Sequence, residues 1–178
     1  MKKSLVLASG ILAIILVSCS KNKPVDNSVT IIADLNLENK VSNYESTLRN
    51  NGGHSGDNYS SVDSVARYAI GYTYFIEDTL KTKNLMVYVS AWVRENEKPL
   101  TGGVAVALIN NAGIQSWVVL KSKDPNYTPG QWVLIKDSLY FPAAKINTPK
   151  AQLAIMGIKD DGKDILDVDD LKIKYKFY

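Results

Sequence analysis

Tyr88, Trp92 and Arg94 stand at i, i+4 and i+6 of one stretch, NLMVYVSAWVRE. In extended backbone they share one side and make a ladder roughly 20 Å long, at about 3.3 Å per residue. Flat rings spaced in this way can stack on the apolar face of a pyranose while a polar group fixes its hydroxyls. Trp117, Tyr127, Trp132 and Tyr140 are further ring donors near turns. The competing reading is packing. A β-sandwich buries tryptophan between its sheets, which puts Trp92 or Trp132 in the core and leaves Arg94 covering an edge.

Catalytic chemistry is harder to place. A nucleophile, base or acid must lie within reach of its partner, and the chain has one cysteine and one histidine. That count excludes zinc-finger, iron–sulfur, CxxC and multi-histidine sites. Patterns of the GxSxG, HExxH or P-loop type do not occur. Glycoside hydrolysis needs two carboxylates about 5–9 Å apart across a cleft, and the acidic residues here fall mainly at turns and strand ends. Asp160, Asp161, Asp164 and Asp167 read as a solvated hairpin tip. His54 sits in the glycine-rich run NNGGHSGD, where an imidazole orders a turn. The sequence points to a non-enzyme.

The elements that position these residues alternate with a period of two. Residues 84–95 set Leu85, Val87, Val89, Ala91 and Val93 against Met86, Tyr88, Ser90, Trp92 and Arg94, the signature of a half-buried strand. The spans 67–76, 104–109, 115–121, 131–141, 152–158 and 167–177 read alike, rich in Val, Ile, Tyr and Trp. Asn110-Asn111-Ala112-Gly113 predicts a hairpin between the third and fourth of these seven spans. About eight to ten strands without intervening helices predict an all-β fold, an antiparallel β-sandwich or jelly roll, as one domain over residues 29–178.

The opening residues carry an address. Lys2 and Lys3 precede an apolar run over residues 5–17, shorter than the about 20 residues a spanning helix needs. Leu16-Val17-Ser18-Cys19 resembles the lipobox of bacterial lipoproteins. The resemblance implies a signal peptide over 1–18, acylation at Cys19 and a polar tether over 19–28, with the outer membrane the expected destination because Ser20 follows the cysteine. A diacylated cysteine holds a protein on a bilayer stably. The formal charge is +3, falling to +1 once Lys2 and Lys3 leave with residues 1–18, which argues against nucleic acid as a partner.

Pieces in order then resemble the galactose-binding-like and carbohydrate-binding-module jelly rolls. They are Asn43-Tyr44-Glu45, Gly53-His54-Ser55-Gly56, Tyr59-Ser60-Ser61-Val62, residues 89–94, Gln131-Trp132, Phe141-Pro142-Ala143 and Val168-Asp169-Asp170-Leu171. The resemblance implies a glycan partner, for which Tyr88, Trp92, Arg94 and Trp117, chosen by their spacing and ring chemistry, are the ligand-binding candidates. It also implies a structural calcium held by Glu45 and Asp169 with backbone oxygens near Ser55, since calcium takes six to eight oxygen donors. Asp169 shares its parity with Leu171, Ile173, Tyr175 and Phe177, which places it on the apolar face, where a carboxylate needs a partner. Turn amides, Arg49 or Lys172 are the alternatives to a metal. A scaffold that docks another envelope protein and binds no sugar is the alternative function.

Overall fold

The computed structural model describes residues 28–38, 45–159 and 165–178, the side chain of Glu45 excepted. Cys19 and Asp160, Asp161 and Asp164 therefore lie outside the described residues. Ten strands occur among those described: β1 (Val29–Leu35), β2 (Leu48–Arg49), β3 (Tyr59–Val62), β4 (Tyr68–Phe75), β5 (Leu85–Glu95), β6 (Gly103–Asn110), β7 (Gly113–Leu120), β8 (Val133–Phe141), β9 (Gln152–Ile158) and β10 (Leu166–Phe177). One helical turn, α1 (Ala143–Ile146), follows β8. The seven spans read from alternation all contain a strand. The first three strands were less visible, because β2 has two residues and the outward side of β1 exposes Ile32.

All pairing is antiparallel. One sheet runs β2, β3, β10, β5, β8, with β1 also on β10; the other runs β4, β9, β6, β7. The period-two pattern turns Leu85, Val87, Val89 and Val93 of β5 and Leu171, Ile173, Tyr175 and Phe177 of β10 inward. There they meet Val104, Val106, Leu108, Leu153 and Ile155 of the opposing sheet in one core. A fully buried side chain of this size contributes about 1.5–3 kcal/mol, so the two-layer arrangement follows from the alternation itself. The predicted hairpin forms between β6 and β7, with Asn110 opposite Gly113 and the Asn110 side chain accepting a bond from the Ala112 amide at 2.8 Å.

Strand β10 breaks its own period. Against β5 the register passes from Asp169 opposite Trp92 to Lys172 opposite Ser90, three residues against two. This β-bulge is accommodated by Asp170 at φ 51°. Parity counted across it changes face. Asp169 is therefore not on the apolar side with Leu171, as alternation predicts, but on the outer side with its neighbour Trp92.

Candidate functional site

The outer face of the larger sheet is organised by register into cross-strand rows. Asp34, Lys172, Ser90 and Lys136 form one; Ile32, Lys174, Tyr88 and Ser138 form the next; Thr30, Lys176, Met86 and Tyr140 the third. Neighbouring strands lie about 4.8 Å apart and successive outward residues of one strand about 6.7 Å apart. The first two rows floor an open groove of about 560 Å³. Its central ring is Tyr88, 42% exposed, with the Lys174 ammonium 5.7 Å from the ring centroid. Asp137 borders the groove, where the Lys123 ammonium at 2.7 Å and the Ser138 amide hold its carboxyl below the usual range.

Beyond Ser90 the same face is closed by the glycine-rich loop. His54 lies flat on Trp92, with ring centroids 3.8 Å apart and planes 14° from parallel. The loop is pinned from beneath. Asp169 Oδ2 accepts the amides of His54 at 2.8 Å and Ser55 at 3.3 Å, and its Oδ1 accepts the Asp170 amide at 2.7 Å. Asp170 in turn meets His54 Nδ1 at 3.1 Å and accepts from the Ser55 hydroxyl at 2.6 Å. The bulge is what lets two successive aspartates both serve the loop.

Arg94 is equally committed. Its guanidinium donates to Asp167 and to the Gly52 carbonyl, and lies 4.4 Å from the Trp132 ring centroid and 5.1 Å from that of Tyr59. Asp167 also accepts from the Ser61 hydroxyl and is nearly buried. It is a strand residue with two partners, and not part of a solvated tip.

The ladder predicted from spacing exists, since Tyr88, Trp92 and Arg94 do share the outer face of β5. Only Tyr88 offers an open ring; Trp92 is roofed by His54 and Arg94 is tied down. Trp117 belongs elsewhere: it pairs with Ala107 in the four-stranded sheet, so the structure does not bring it to the other three. Tyr127 is no surface ring donor, being buried with its hydroxyl exchanging hydrogen bonds with the backbone of Glu95. Tyr140 does border the Tyr88 side. Ile32, Ser90, Lys136, Ser138 and Lys174 line the groove without having been singled out beforehand, and Lys172 joins them. The alternation of lysine in KIKYK signals Lys172 and Lys174 alone.

Of the two side chains expected to hold calcium, Asp169 is engaged by backbone amides. Three N–H dipoles point at the Asp169 carboxylate, which is the amide alternative, and they repel a cation approaching those oxygens. No group of three His, Cys, Asp or Glu gathers to hold a metal among the described residues. The Glu45 half of that expectation lies outside them.

Neither a family model nor a curated protein matches this chain. Solved structures do. The CBM22-2 xylan-binding domain of Paenibacillus barcinonensis Xyn10C is similar at a TM-score of 0.53 and 17% identity, over 79% of this chain and 97% of that domain. The likeness is one of fold, an antiparallel β-sandwich. The C-terminal family 22 carbohydrate binding module of Clostridium thermocellum Xyn10B gives a TM-score of 0.46 at 13% identity, covering 84% of this chain and 85% of its own. The VP2 subviral particle of infectious bursal disease virus gives 0.48 at 14%, covering 94% of this chain and 37% of its own.

Proposed function

We propose that this protein binds carbohydrate without transforming it, and that acylation of Cys19 holds it at the outer membrane. The observation that carries the reading is the open groove on the larger sheet, with the exposed ring of Tyr88 at its centre between Ser90 and Ser138. An apolar ring among hydroxyls and ammonium groups matches a sugar, which is flat and apolar on one side and rimmed with hydroxyls. Similarity of fold to a xylan-binding domain supports the same reading. The anchor rests on the lipobox-like residues 16–19 alone.

The test is a glycan array followed by calorimetry on the full chain. Tyr88→Ala is expected to weaken the best glycan about tenfold, the size of ~1–1.5 kcal/mol for one stacked ring. Trp117→Ala, on the other sheet, is expected to leave affinity unchanged. Failure to bind any glycan would end the proposal.

A second reading, a protein-interaction scaffold, is favoured by one observation. The outward side of the four-stranded sheet exposes Phe75 at 67% and Trp117 at 40%, and Ile114 at the β6–β7 hairpin is 60% exposed. Loss of co-purifying envelope proteins on Phe75→Ser, with no glycan bound, is the result that would establish it.

A further inference from the structure

We infer that the Tyr88 groove selects acidic glycans, those carrying carboxylates such as uronic acid residues; this rests on the carbohydrate-binding reading and names its ligand class. The register supplies the reason. Lys172 and Lys136 flank Ser90 in one row, and Lys174 flanks Tyr88 in the next. All three are exposed and line the same groove, and Lys176 continues the series in the third row.

Across a central strand, Cα atoms two strands apart lie about 9–10 Å from each other. A sugar lying on Tyr88 and Ser90 thus has an ammonium on either side within the reach of a lysine side chain. The opposing charge is small. Asp34 meets Lys172 at 3.4 Å with both side chains about half exposed, a pairing that is readily exchanged in water. Asp137, the one carboxylate lining the groove among the described residues, is engaged by Lys123.

The protein as a whole is nearly neutral, so the positive potential of this groove belongs to it locally. It is not a reflection of bulk charge. Three ammonium groups around one ring repel one another, and a carboxylate seated among them relieves that repulsion where a neutral glycan does not. Ammonium groups at several positions along the rows also tolerate spacing of the carboxylates along a chain, because lysine acts as a mobile point charge.

Polygalacturonate and its carboxyl-reduced form share a backbone and separate charge from shape. Calorimetry on the full chain is expected to show polygalacturonate bound at least about tenfold more tightly than the reduced polymer, with the advantage shrinking as NaCl rises from about 50 mM to about 0.5 M. The Lys136→Gln/Lys174→Gln double variant is expected to lose that advantage while keeping its melting temperature. Equal binding of both polymers, or an advantage that survives the double variant, overturns this inference and leaves carbohydrate binding standing. Binding of neither overturns this inference too, and carbohydrate binding falls with it only if the glycan array also finds no ligand. Displacement of polygalacturonate by inorganic polyphosphate of equal charge would show a general anion patch and also overturn it.

Discussion

Asp169 accepts two amides from a loop more than a hundred residues away in sequence and a third from its neighbour Asp170. Each hydrogen bond to a carboxylate is worth about 1.5–3 kcal/mol, so the three stabilise this position by themselves. Treatment with EDTA is expected to leave the melting temperature unchanged, and a fall of several degrees would restore calcium to this position. Tyr175 carries the opposite imbalance. It is fully buried, stacked on Tyr74 with centroids 4.9 Å apart, and its hydroxyl finds no partner among the described residues. Burial pushes the Tyr175 phenol up, and pushes Tyr74 and Tyr127 the same way. The folded state therefore keeps protons that the unfolded chain gives up above about pH 10, and stability falls with rising pH there, by ~1.4 kcal/mol per unit for a group such as Tyr175. Tyr175→Phe is expected to flatten that alkaline slope and to raise stability at neutral pH by about 1 kcal/mol, since it removes an unsatisfied hydroxyl. Urea melts at pH 8 and at about pH 11 measure both effects.

At the level of elements, the ends of β5 and β9 are joined by a buried pair. The Lys159 ammonium lies 3.5 Å from Glu95, both side chains fully enclosed, and the Glu95 carboxylate also accepts from the amides of Thr101 and Gly102. Lys159→Met removes the cation and leaves the carboxylate enclosed, which is expected to cost ~3–5 kcal/mol by denaturant melts. The conservative Lys159→Arg variant is expected to lose less. This pair was not legible in the sequence, because Glu95 and Lys159 are brought together only by the packing of one sheet on the other. Alternation, by contrast, fixed the inward side of β5 from residue types alone. The same rule failed in β10, where one extra residue reverses the phase at Asp169. A bulge of this kind leaves no periodic trace, since Asp-Asp is as compatible with a turn as with a strand.

For the whole molecule, two antiparallel sheets follow from seven alternating segments punctuated by turns, and that much needed no coordinates. Convergence of side chains did need them. Trp117 and Trp92 look equivalent as ring donors in the sequence, yet the topology sends them to opposite layers, and His54 covers one of them. The lysine rows emerge only when β8, β5, β10 and β1 are set side by side. That last strand pairs along its full length, from Val29 opposite Phe177 to Leu35 opposite Leu171. A pull applied upstream of Val29 and directed along β1 is opposed by the body of the larger sheet through these pairs. The seven β1–β10 pairs then bear the load together in shear, the mechanically resistant geometry, and do not peel apart one at a time.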